Sequence, residues 1–471
     1  MFPLKICILL IYFCNTDCAP EGHELTSNSE EKPMERDTEG GWLACDGTEA
    51  EACHCEHGEI DCDMVVFKEN SLLATANLDI FNKSFSVMKA TFRGNSITDL
   101  KKGKILPGHE KSIRFKNLNK LYLSFNRLNQ IKRDHFLGLE ELHQLFLESN
   151  KIKNLADGVF EHLTNLRKLV LDGNKIKFRM GMFIGLDSLE ELSLDNCGIE
   201  YLDENVFELL PQLKKLSLRG NPFTEVPLAI KSLFVLEDLD ISNTNIAELH
   251  EQSLKADHVL KQLYISDMPF LYAIQDCAFC GLQKLEVVHM DNCSHLHEIH
   301  PNAFGWSTLN ERKVGTLKYF YVEHCKLQMI SEDLLPWDTL DELGIGGNPI
   351  NCNCETAFLL DDEYYSYEYT NTVPKCAAPP ELKGRPLTKV AQSDACPSKA
   401  SVERNSRIAG IFMVLLILVF CTTGIYLCVI TKRWEMFLRH IQNPPLLYSY
   451  LANKDDQQGL EHDFQSQPQD V

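Results

Sequence analysis

The amino-acid sequence predicts an α/β-type solenoid with a curved parallel β-sheet on its concave face. It is about 11 repeats long, disulfide-capped at both ends and followed by one transmembrane helix. Three observations predict this. A short apolar pattern returns mostly every 23 to 25 residues, cysteines cluster on both sides of the repeats, and an uncharged run of 23 residues follows the second cluster.

In chain order, residues 1–18 hold Lys5, the apolar run ICILLIYF and a polar stretch, the layout of a secretory signal. Its eight apolar residues are too few to cross a bilayer. Residues 19–40 read as a flexible acidic segment, and 41–80 as an amino-terminal cysteine-rich cap with Cys45, Cys53, Cys55 and Cys62. The repeats occupy 81–350. In LRKLVLDGNKIKF, residues 166–178, apolar residues stand at Leu166, Leu169, Leu171, Ile176 and Phe178, with Asn174 among them. Copies begin at Leu118, Leu142, Leu189, Leu213, Leu236, Leu260, Leu285, Leu317 and Leu340, and a weaker one at Val87. The LxL core is a short strand whose two leucines point one way and whose intervening residue points the other. One repeat cannot bury its own leucines, whereas stacked repeats bury them against each other.

The layout L-x-x-L-x-L-x-x-N/C-x-L, recurring this often, resembles the leucine-rich repeat family over residues 41–397. That resemblance implies cysteine-rich caps at both ends, and NPINCNCETAFL resembles the opening of the family's carboxy-terminal cap, 351–397. It also implies the pairings Cys45–Cys55, Cys53–Cys62, Cys352–Cys376 and Cys354–Cys396. The residues by themselves permit three connectivities in each cap. Asn at the ninth repeat position is expected to satisfy turn backbone that water does not reach. Cys197, Cys293 and Cys325 replace it and are expected as buried thiols. Phe136, Phe160, Phe183, Phe207, Phe279 and Phe304 are expected to plug the convex side. Cys277-Ala-Phe-Cys280 has redox spacing but lacks a thioredoxin-like context, leaving a local disulfide as its alternative.

Residues 398–407 form a juxtamembrane stalk, 408–430 the transmembrane helix and 431–471 a short cytoplasmic tail. The signal sets the amino-terminal part outside, at the plasma membrane as a single-pass type I protein. The tail is too short for a Toll-type signalling domain, so signalling is expected through partners. Within it, Tyr448 and Leu451 fit a tyrosine-based sorting motif. Sequons at Asn82 and Asn292 predict a glycoprotein. A net charge of −21 speaks against nucleic acid. A basic loop with Lys101, Lys102, Lys104, Lys111 and Arg114 is a candidate for heparan-type glycans. No catalytic motif, cofactor site or metal site is read, so an enzyme is not expected.

The concave strand positions read as columns. The fifth runs Tyr122, Phe146, Val170, Ser193, Ser217, Asp240, Tyr264, His289, Tyr321, Gly344. With strands about 4.8 Å apart, Tyr122, Phe146 and Val170 form one apolar patch beside Phe125. Tyr264, His289, Tyr319 and Tyr321 form a second. The seventh position carries Glu148, Asp172 and Asp195, like charges that repel unless something cationic meets them. The second and third positions alternate in sign and are expected to pair across strands. Clustered exposed aromatics point to protein binding through Tyr122, Phe125, Phe146, Glu148, Val170, Asp172, Asp195, Tyr264, Tyr319 and Tyr321. The expected function is cell-surface recognition of an extracellular or cell-surface protein, as an adhesion molecule or co-receptor. An auxiliary channel subunit and an innate-immune sensor are the alternatives.

Overall fold

The computed structural model describes residues 54–64, 87–98, 100, 116–254, 259–306, 313–360, 368–370, 372–397, 411–423 and 426. The signal, the basic loop at Lys101–Arg114, Asn82, Cys45, Cys53 and the tail motif at Tyr448 and Leu451 lie outside the described residues, as does the side chain of Cys55.

Each LxL forms a three-residue strand, and these strands stack into one sheet of 14. An antiparallel pair, His54–Glu56 with Glu59–Asp61, starts it, and every later neighbour is parallel. The repeats contribute Lys89–Thr91, Lys120–Tyr122, Gln144–Phe146, Lys168–Val170, Glu191–Ser193, Lys215–Ser217, Asp238–Asp240, Gln262–Tyr264, Val287–His289, Tyr319–Tyr321 and Glu342–Gly344. Leu121, Leu145, Leu169, Leu192, Leu216, Leu239 and Leu263 pair in register and are at most 2% exposed. The period therefore does what its spacing implies: one buried file of leucines runs through the stack.

The helical part of the α/β expectation is slight. The convex returns are short 3-10 turns such as Arg133–Phe136, Met180–Phe183 and Leu228–Ser232. The short return leg of so compact a repeat holds a tight turn or two, where isolated α-helix is marginal. The convex phenylalanines plug these returns: Phe136, Phe160, Phe183, Phe207, Phe279 and Phe304 are all buried. Phe136 stacks on Phe160 at 5.9 Å and Phe279 meets Phe304 at 4.6 Å between ring centroids.

The ninth-position amides close the turns. Asn174 Nδ2 donates to Leu171 O at 2.8 Å and to Leu147 O of the preceding rung at 3.0 Å, while its Oδ1 accepts Ile152 N–H at 3.0 Å. Cys197, Cys293 and Cys325 take the same place as buried free thiols. Burial pushes the Cys197 thiol up to about 12, and the Cys325 hydrogen bond together with burial drives Cys293 higher still. Cys277–Cys280 is a disulfide, which the spacing had left open. The carboxy-terminal cap carries Cys352–Cys376 and Cys354–Cys396, as the resemblance implied. Cys62 is disulfide-bonded. Residues 411–423 are helical and apolar. Among the described residues no helix is long and apolar enough to cross a membrane. The rest of the 408–430 run, Tyr426 apart, lies outside them.

Candidate functional site

The concave face is built from the outward residues of each strand, so the columns read from the sequence are contiguous in space. Tyr122 and Phe146 lie in register on neighbouring strands and stack, ring centroids 4.3 Å apart and planes 3° from parallel. The Arg93 guanidinium stands 5.7 Å over the Tyr122 ring, a neighbour the sequence reading missed because the first repeat is irregular. Val170 is a correction to that reading. It lies in register beside Phe146 but is only 8% exposed, so it adds little open surface to the patch.

Phe125 is 61% exposed at the eighth repeat position, where its φ is +57°. Every rung turns through this left-handed conformation there. The other rungs supply Gly94, Ser149, Gly173, Asn196, Gly220, Asn243, Asp267, Asn292, His324 and Gly347. Glycine and small polar residues tolerate that backbone, whereas a bulky side chain is strained by about 1–2 kcal/mol. The seventh-position neighbours are buried in part without partners: Ser124 Oγ and Glu148 Oε2 accept and donate nothing.

Tyr264, His289 and Tyr321 form the second group, a continuous stack with centroid spacings of 4.9 and 4.4 Å. Tyr319 lies on the strand of Tyr321 and is half-buried. Burial and the Glu342 carboxylate hold the Tyr321 hydroxyl up at about 12. The two stacks are separate. Between them the fifth column holds Val170, Ser193, Ser217 and Asp240, whose small side chains leave a notch of about 290 Å³.

The charge columns divide in two. The second and third positions pair as expected: Arg167 and Lys214 both hold Glu190, Lys168 holds Glu191 at 2.7 Å, Lys215 holds Asp238 at 2.8 Å and Lys261 holds Glu237 at 2.9 Å. The seventh position is not the row of loose charges that like-charge spacing suggests. Asp172 Oδ1 accepts from Ser193 Oγ–H at 2.6 Å and from Asp195 N–H at 2.9 Å. Asp195 Oδ1 accepts from Ser217 Oγ–H at 2.5 Å and from Arg219 N–H at 3.0 Å. The same ladder continues through Ser242, Ser266 and Asp291. A seventh-position acceptor thus serves the strand-end N–H of the next rung, which the sheet leaves unpaired. Burial, with Asp172 and Asp240 nearby, pushes the Asp195 carboxyl up to about 6. Arg219 is bound to Asp267. Asn292 is exposed at the edge of the face, its Nδ2 donating to Asp267 Oδ1 at 3.2 Å.

Residues 116–176 match the leucine rich repeat family model. The parallel solenoid fits a leucine-rich repeat fold along the rungs beyond that segment as well. No curated protein matches the chain by sequence. Among solved structures, it is similar to a chain of the Drosophila Toll–Spatzle complex, with 17% identity, TM-score 0.42, and coverage of 67% of this chain and 56% of that one. A leucine-rich repeat protein of Leptospira interrogans aligns at 23% identity and TM-score 0.48, over 63% of this chain and 70% of that one. A chain of the octameric complex of Latrophilin 3, Unc5D and FLRT2 aligns at 18% identity and TM-score 0.47, over 72% and 97%. Among the described residues no group of three or more His, Cys, Asp or Glu is placed to hold a metal ion.

Proposed function

We propose that this chain is a cell-surface recognition protein whose leucine-rich repeat face docks an extracellular or cell-surface protein. The observation that carries the reading is Phe125. An exposed phenyl ring held in a conformation that glycine, small polar residues and His324 occupy on the other rungs costs stability and fills no core, and such strain gathers at functional positions. Its neighbours Tyr122, Phe146 and Arg93 supply the flat aromatic and guanidinium surface typical of binding hot spots. Two of the similar solved structures are complexes with other proteins, Toll with Spatzle and FLRT2 with Latrophilin 3 and Unc5D, which fits the same use of the fold.

In this reading the apolar run 408–430 spans the plasma membrane once, with the repeats outside and Asn82 and Asn292 carrying glycans. The basic loop at Lys101–Arg114 adds affinity for heparan-type glycans, and Tyr448–Leu451 directs internalisation. Proximity labelling on intact cells expressing the full chain tests the docking face. Phe125→Asn and Tyr122→Ala with Phe146→Ala are expected to reach the surface at wild-type levels and to lose the enriched neighbours. Unchanged labelling by both variants overturns the assignment. An amino-terminal tag inaccessible on intact cells overturns the topology.

A further inference from the structure

The notch between the two aromatic stacks is lined unevenly with hydrogen-bonding groups. Its donors are used internally: Ser193 and Ser217 give their hydroxyl protons to Asp172 and Asp195, and Tyr264 gives its own to Gln262 Oε1 at 2.8 Å. What remains facing the space is acceptor capacity beside Lys168 and Lys215, whose ammonium groups are held by Glu191 and Asp238. The bases of these rungs are likewise taken, by Glu190, Glu191, Asp238, Glu237 and Asp267. Among the described residues Asp172, Asp195 and Asp240 have no basic partner. Asp240 lines the notch and engages one oxygen, Oδ1, with Ser242 N–H at 2.8 Å.

The end wall is aromatic. His289 covers one face of the Tyr264 ring, and the opposite face looks along the column toward Asp240 and Ser217. The far end of that stack is closed, because the Tyr321 ring sits against Gly344, where an added Cβ would come within 2.8 Å of it. One open tyrosine face, one carboxylate with a free oxygen and a floor of hydroxyl acceptors therefore meet in about 290 Å³, the lower end of the size range of ligand pockets.

We propose that this notch receives an arginine side chain of the docked protein partner, its guanidinium stacked on Tyr264 and forked onto Asp240. The assignment rests on the concave face being the docking surface and adds the chemistry that the partner must present there. A planar guanidinium satisfies the stacking and the fork together, whereas an ammonium satisfies only the charge. Asp172 and Asp195, which have no basic partner among the described residues, add negative potential, while Lys168 and Lys215 on the notch wall are held by Glu191 and Asp238.

Saturation-transfer NMR on the full chain in micelles tests this with capped Gly-Arg-Gly tripeptide as probe. Lysine and citrulline tripeptides and free arginine serve as comparisons. The arginine tripeptide is expected to bind about tenfold more tightly than the neutral citrulline one and several-fold more tightly than the lysine one. Asp240→Asn should remove the preference over citrulline. Tyr264→Leu should remove the preference over lysine, while Tyr264→Phe keeps it. Phe125→Asn should leave all of these signals unchanged, which separates this assignment from the docking reading above. Melting curves matching the wild type establish that the variants fold. Equal saturation by arginine and citrulline tripeptides, or indifference to Asp240→Asn, overturns the proposal. Tighter binding of free arginine than of the capped tripeptide overturns it in favour of a small-molecule site.

Discussion

In the amino-terminal half of the solenoid the ninth repeat position holds Asn95, Asn126, Asn150, Asn174 and Asn221, with Cys197 intervening. In the carboxy-terminal half the same place holds Thr244, Met268, Cys293 and Cys325 before Asn348 returns. Asn126, Asn150 and Asn221 both donate and accept, bridging two rungs through buried hydrogen bonds of 2.7 to 3.0 Å, whereas Asn95 donates to Cys62 O and its Oδ1 has no partner among the described residues. The thiols donate to Ile265 O and Met290 O at 3.3 Å and to Leu171 O at 3.5 Å, and thiol bonds are weak. Where the amides stop, other devices appear. The asparagine rungs carry a short second pair, Gln130–Ile131 with Asn154–Leu155, but here three strands pair, Glu248–Leu249, Ala273–Ile274 and Glu298–Ile299, accompanied by Cys277–Cys280 and the bridged cap. A solenoid is held by the sum of nearest-neighbour contacts, so each rung needs some tie but not the same one.

The comparison breaks first at the cap. Removing Cys354–Cys396, which closes 42 residues of sequence separation, is expected to cost about 4 kcal/mol. Removing Cys277–Cys280, with a separation of 3, should cost about 2 kcal/mol. Denaturant unfolding of serine variants measures both, and equal losses would contradict the loop-closure account.

At the ninth position itself, Asn174→Ala leaves Ile152 N–H unpaired in the interior and Leu171 O with only the long Cys197 thiol bond, while Leu147 O keeps Asn150 Nδ2, for about 1–3 kcal/mol. Cys197→Ala, one rung on, should cost only about 1 kcal/mol. Similar values would show that the amide bridge is dispensable here.

Asp195 sharpens the comparison through pH. Its folded-state carboxyl titrates near 6, above its ordinary value of 3.8, so between those values the native chain holds more protons than the unfolded one. Stability therefore falls as pH rises from about 4 to 6. Asp195→Asn keeps the Oδ1 acceptor, should flatten that decline and should raise the melting temperature at pH 7 by about 1–3 °C. Melts at pH 4 and 7 check it. Wild-type affinity for the arginine tripeptide should meanwhile rise over the same window, as Asp195 ionises.

The smallest effect is at Phe125. Phe125→Asn matches the residue type that Asn196, Asn243 and Asn292 use in the same left-handed turn, and should stabilise by about 0.5–1 kcal/mol. A stabilised protein that has lost its partner would be the signature of a residue kept for binding.

The carboxy-terminal cysteine pairs were implied only by the family resemblance, whereas leucine spacing, ninth-position asparagines and convex phenylalanines were determined by the sequence alone. Each is a local pattern whose burial follows directly from stacking like on like. Sign alternation at residues 167–168, 190–191 and 214–215 was legible for the same reason, because rungs of near-equal length bring equal positions side by side. Only the tertiary structure decided that Val170 is hidden, that Asp172 and Asp195 serve the next rung, and that Cys277 and Cys280 are joined. It alone showed that two aromatic stacks leave a carboxylate-lined notch between them. These depend on where a hydroxyl points, how deep a short side chain sits and which charges already have partners. Residue identity along the chain does not encode such quantities, because they arise from side chains more than twenty positions apart meeting in space.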